Sequence, residues 1–180
     1  MNSSLSHVGA PPRGVRVLAT LAELDAAEAA WLSLWERCEG NRTPYLSFEW
    51  VRTWARHFGR DGRLHIVCVD DGTDVTGIMP LVRVRYGLGP FSIEALETVG
   101  HESRNLVGLV APGAEDDVAA VLADHLVRDE LSARHVVRLG LVPSDHPFLS
   151  RFVDALRQAL PEPTVRVSVC NFAPYAPLPV

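Results

Sequence analysis

His101-Glu102-Ser103-Arg104-Asn105 is the densest run of chemically able side chains in the sequence. An imidazole beside a carboxylate can take a proton from an amine nucleophile, and an arginine can hold a carboxylate or phosphate. The run follows a strand-like segment, a common place for binding loops. His101, Glu102, Arg104 and Asn105 are therefore the candidate substrate-binding residues, with no catalytic residue assigned. A solvated loop with no ligand is the competing reading, and residue types alone favour it.

Other constellations are weaker. Ser144-Asp145-His146 contains the letters of a hydrolytic triad, but residues adjacent in sequence cannot stack as nucleophile, base and orienter, so helix capping by Ser144 or Asp145 is preferred. Val84-Arg85-Tyr86-Gly87-Leu88-Gly89 approaches a glycine-rich phosphate loop. Such a loop needs a helix N-terminus behind it, whereas Pro90 and a strand-like Phe91-Ser92-Ile93 follow, so a hairpin turn is expected. His125 lies between Leu122 and Leu126 on a helix face and reads as a partly buried, satisfied histidine. His57 and His65 have no second ligand at metal-like spacing, and no metal is expected. Cys38, Cys68 and Cys170 share no CxxC spacing and read as small buried hydrophobes.

These residues are positioned by a regular alternation of elements. Val15–Ala19 reads as a strand. Thr20-Leu21-Ala22-Glu23 has capping-box spacing and opens a helix expected to reach Glu39, with Gly40 as its C-cap. Ser47 caps a second helix that carries Trp50, Val51, Trp54 and Phe58 and stops at Gly59. Leu64–Val69 and Val75–Leu81 flank the turn Asp70-Asp71-Gly72-Thr73. Phe91–Val99 and Leu106–Val110 follow as strands. A helix is expected over 115–128, a strand over 134–141, a last helix carrying the stripe Phe148, Leu149, Phe152, Val153, Leu156 and Leu160, and a closing strand over 164–170. Hairpins followed by a βαβαβ run imply one α/β (α+β) domain: a mixed, largely antiparallel sheet flanked by helices. Residues 1–14 read as a disordered tail, 15–172 as the domain and 173–180 as a Pro-rich bridge.

Composition excludes several function classes. The 180 residues are 47% hydrophobic and 22% charged, the mix of a globular protein. The net charge of −5 offers no basic surface for nucleic acid. All 17 basic residues are arginine, so lysine chemistry is absent. The tail has no apolar core of a signal peptide and no stretch is long enough for a membrane span, so a cytoplasmic protein is expected.

Thr43-Pro44-Tyr45-Leu46-Ser47-Phe48-Glu49-Trp50, continued by Trp54 and Phe58-Gly59, resembles the "TPF-L-SPEW…W…FG" segment of a GNAT-related group. These are bacterial acetyltransferase-like proteins associated with cellulose biosynthesis and akin to the FemAB-type aminoacyl transferases. Trp31-Leu32 and Leu34-Trp35, Gly77-Ile78-Met79-Pro80-Leu81, Arg138-Leu139-Gly140-Leu141-Val142-Pro143 and Tyr175-x-Pro177-Leu178-Pro179 are similar to further segments of that group, in the same order. The resemblance implies a GNAT-like N-terminal lobe of a tandem protein, with acetyl-CoA bound and acetyl transferred to an amine in the second lobe. The isolated chain is then expected to be inactive. Its expected partners are a second GNAT-like lobe or another copy of itself, with neither nucleic acid nor membrane. Three readings stay open: an accessory lobe with a large apolar patch, a small active N-acetyltransferase, and a truncated inactive product. The four tryptophans read as core first and partner anchors second.

Overall fold

The computed structural model describes residues 14–39, 42–59, 63–100, 108–130, 135–139, 142, 146–160 and 167. Among the described residues six strands form one sheet: β1 (Gly14–Leu18), β2 (Leu64–Asp70), β3 (Val75–Tyr86), β4 (Ile93–Thr98), β5 (Leu109–Val110) and β6 (His135–Arg138). Their order is β1-β2-β3-β4-β6, and β5 shares with β4 one side of β3. All pairings are antiparallel except β4 with β6, which is parallel. The expected class, a single mixed and largely antiparallel sheet flanked by helices, is the observed one.

Strand parity divides the apolar side chains between two helical layers. Leu64, Ile66, Cys68, Ile78 and Val82 face α1 (Leu21–Ala26), α2 (Glu28–Arg37) and α3 (Phe48–Phe58). Val67, Val69, Met79, Leu81 and Leu96 face α4 (Glu115–His125) and α5 (Pro147–Ala159). The α4 layer packs so closely that a Cβ on Gly77 would lie 2.5 Å from Cγ1 of Val118. A glycine in the middle of this strand is thus explained by the approach of a helix rather than by a turn.

Pro80 sits inside the central strand, where a missing N–H normally breaks a ladder. Here it falls where the neighbour of β3 changes, after Ile78 pairs with Leu109 and before Leu81 pairs with Thr98. Its carbonyl still accepts the Val99 N–H at 2.9 Å.

Local signals explain the helix starts. The Thr20 hydroxyl accepts the Glu23 N–H at 3.2 Å, and the Glu23 carboxylate accepts the Thr20 N–H at 2.9 Å. Ser47 Oγ accepts the Trp50 N–H at 3.3 Å, and α3 ends before Gly59. Four expectations need correction. The first helix is two helices, broken at Ala27, whose N–H turns back to Leu24 at 3.0 Å. No glycine or proline marks that break; it lets Leu24, Ala27, Trp31 and Leu34 all reach the core. The helix from Glu115 changes at Leu126 into a π turn to Glu130. The last helix has His146 at its N-cap, with no side-chain cap bond, in place of Ser144 or Asp145. The strand expected over 134–141 is His135–Arg138 alone among the described residues. Gly40, Cys170 and the strand over 164–170 lie outside the described residues.

Candidate functional site

β4 and β6 give the α1–α3 face of the sheet a polar end. Glu97 pairs in register with Val82 on one side and Arg138 on the other, so all three side chains share that face. Glu97 is 2% exposed, on a strand whose other positions on this face, Ile93 and Ala95, are apolar. Its Oε1 accepts the Tyr86 hydroxyl at 2.6 Å and Nη1 of Arg138 at 3.4 Å. The guanidinium is mostly exposed, so the buried carboxylate keeps a partner that water also reaches. The bond to Glu97 pushes the Tyr86 pKa above its ordinary value. This phenol is therefore held neutral and positioned, not primed to lose its proton.

Beside this network lies a cleft of about 440 Å³. Trp54, His57 and Phe58 at the C-terminal end of α3 form one wall, Val82, Val84 and Tyr86 of β3 another, and Glu97 the polar end. Arg83 and Thr98 also border it, but strand alternation sends their side chains to the opposite face. Arg83 accordingly reaches His65 Nδ1 there, at 3.3 Å. The amphipathic pattern of α3 explains the aromatic wall: Val51 and Ala55 are buried under it, while Trp54 and Phe58 run along its edge. No cysteine or serine lines this cleft among the described residues, and His57 is its imidazole. The arrangement can hold an apolar group against a polar end.

Gly100 closes the cleft and is bonded to His101. His101, Glu102, Arg104 and Asn105 themselves lie outside the described residues, as do Ser144 and Asp145. Glu97, Tyr86 and Arg138 were not singled out from sequence. The available signal was a carboxylate at an inward-facing position of a strand, opposite an arginine in the next parallel strand.

Two further expectations concern histidines and cysteines. His125 is partly buried, with Nδ1 2.9 Å from Asp129, while its Nε2 is buried with no hydrogen-bond partner among the described residues. Its ring stacks on His65 with centroids 6.2 Å apart, a pairing that the 59 intervening residues hid. No cluster of three or more metal-ligating side chains occurs among the described residues. Cys38 and Cys68 are buried. Burial pushes the Cys68 thiol up to about 11 and raises that of Cys38, so neither is a ready thiolate.

The glycine-rich segment is a hairpin turn, as expected: Gly87 and Gly89 have positive φ and β4 follows. The helix that follows β4 and β5 starts poorly for an anion. Glu115, Asp116 and Asp117 occupy the first turn of α4, and no side chain caps it. Arg151 answers two of these acids, at 2.9 Å from Asp116 and 3.9 Å from Glu115. No described helix is long and apolar enough to cross a membrane. Trp31 is fully buried, and Trp35, Trp50 and Trp54 are partly buried against the core.

No family model and no curated protein matches the chain. Among solved structures, a ribosomal-protein-alanine N-acetyltransferase from Brucella melitensis biovar Abortus 2308 aligns with 89% of this chain and 100% of its own, at TM-score 0.40 and 13% identity.

Proposed function

We propose that this chain is an accessory lobe of a GNAT-type N-acetyltransferase-like protein, one that does not itself hold acetyl-CoA. The observation that carries the second half is the first turn of α4. A helix N-terminus binds a pyrophosphate through free N–H groups and its positive dipole end; three carboxylates there meet an anionic ligand with like charge. The motif order from Trp31 to Pro179 and the mixed sheet support the GNAT-type label. In this reading acetyl-CoA sits on a second GNAT-like lobe, in the tandem arrangement of the FemAB-like, cellulose-associated proteins, and the assembly works in the cytoplasm.

The cleft then serves as a docking or substrate-side surface, and His101, Glu102, Arg104 and Asn105, which follow Gly100 in the sequence, are the residues proposed to bind substrate. The test is calorimetry of the purified chain with acetyl-CoA. No saturable heat is expected. Saturable micromolar binding would overturn the accessory reading in favour of a small active acetyltransferase, and His101→Ala and Arg104→Ala would then be assayed for loss of acetyl transfer to an amine.

A further inference from the structure

The α1–α3 layer stops short of the outer strands on its own side of the sheet. Ile93 and Val136 share that face, since Ile93 pairs with Tyr86 and Val136 with Ala95, and they remain 47% and 48% exposed. Phe58 at the end of α3 is 64% exposed and Tyr86 45%. At the adjoining hairpin tip, Leu88 and Phe91 are each 88% exposed. Gly87 sets this tip: φ is 84°, and a Cβ there would lie 2.6 Å from the Phe91 carbonyl oxygen. The turn thus presents two large apolar side chains to solvent beside a cleft of about 440 Å³ with an aromatic wall, large enough for an aromatic and an aliphatic side chain together.

We propose that two copies of this chain pair through this face, the Leu88–Phe91 tip of each seating in the Trp54–Phe58–Tyr86 cleft of the other. Tip and cleft lie side by side on one surface, so a single twofold axis between them satisfies both contacts at once. The area supports a dimer. At about 200 Å² per fully exposed aromatic side chain, Phe58, Tyr86 and Phe91 alone leave about 400 Å² open. That is half of the roughly 800 Å² each partner gives to a standard interface, before Leu88, Ile93 and Val136 are added. Arg138 at the rim keeps Glu97 paired as water leaves. The inference does not depend on the acetyltransferase reading, since it needs no cofactor and no acetyl transfer.

Sedimentation velocity across the micromolar range tests it. The wild type is expected to dimerise, and Phe91→Asp, or independently Leu88→Asp, to weaken the dimer by about 30-fold or more, as loss of an interface anchor does. Circular dichroism of each variant should match the wild type, because both side chains stand in solvent in the monomer. Phe58→Asp damages the cleft and leaves the tip intact, and should also give monomers. Mixing Phe91→Asp with Phe58→Asp chains should then restore a heterodimer, since one intact tip still meets one intact cleft. A wild type that stays monomeric, a dimer indifferent to Phe91→Asp, or a mixture that stays monomeric would each overturn the exchange.

Discussion

The two faces of this sheet are covered to different extents. On the α4–α5 face the buried and half-buried apolar side chains run from Val17 of β1 through Val69, Leu81 and Leu96 to Val137 of β6. On the other face they run from Leu18 through Val82 and Val84 of β3 to Ala95 of β4 and Val99 just after it, and Ile93 and Val136 are left open. The covering helices differ in origin. α4 and α5 flank β6 in the chain and pack on each other, and α4 lies across β1 and β2. α1, α2 and α3 all precede β2; α1 packs on β1, and α2 on β3 and β5. A layer built entirely before the meander reaches β3 and β5 and leaves Ile93 of β4 and Val136 of β6 exposed.

If that contrast is right, the largest effect should come from the closed part of the α1–α3 face. Trp31 is fully buried, donates from Nε1 to the Leu46 carbonyl at 3.0 Å and meets Phe48 edge-on at 5.9 Å. Trp31→Ala should cost about 3–5 kcal/mol in urea unfolding, as truncation of a core aromatic does. A cost below about 1 kcal/mol would mean that this half is not the sealed one.

On the α4–α5 face the sensitive point is the approach at Gly77. Gly77→Val should destabilise by about 1–3 kcal/mol through overpacking against Val118. Val118→Ala should recover part of that loss in the double variant, and purely additive costs would show that the two do not touch.

At the polar end the expected effect is a pH dependence. Tyr86 holds its proton more tightly folded than unfolded because its hydroxyl is bonded to Glu97. Its contribution to stability is therefore complete below the ordinary phenol value of 10.0 and is lost as pH rises from there through the higher folded value. Ultraviolet titration of wild type against Tyr86→Phe should show the missing phenol ionising above that value; a difference centred at 10.0 would refute the bond.

The smallest effect belongs to the open strands. Val136→Thr and Ile93→Thr should change monomer stability by less than about 0.5 kcal/mol, as for exposed sites. Thermal unfolding measured at low concentration, where pairing does not contribute, checks this.

Much of the architecture was legible because its signals are local. Thr20 with Glu23, Ser47, and Asp71-Gly72 act on backbone groups within a few residues, and the alternation of strands sorts side chains without reference to a partner. The break at Ala27 was not legible, because Ala27 is a good helix former and only the need to bury Leu24 and Trp31 together bends the chain there. The candidate site divides in the same way. The run His101–Asn105 attracted attention by density alone, whereas Glu97 looked like one more strand residue until β6 brought Arg138 beside it.

The sequence by itself thus determined most of the described elements, the mixed sheet and the burial of Cys38 and Cys68, since hydrophobic period and capping are written residue by residue. Only the tertiary structure decided which apolar side chains remain uncovered, where Pro80 and Gly77 are tolerated, and that Tyr86, Glu97 and Arg138 meet. Those outcomes depend on which strand lies beside which and how far a helix reaches across them. Both are set by contacts between residues far apart in the chain, which no local pattern encodes.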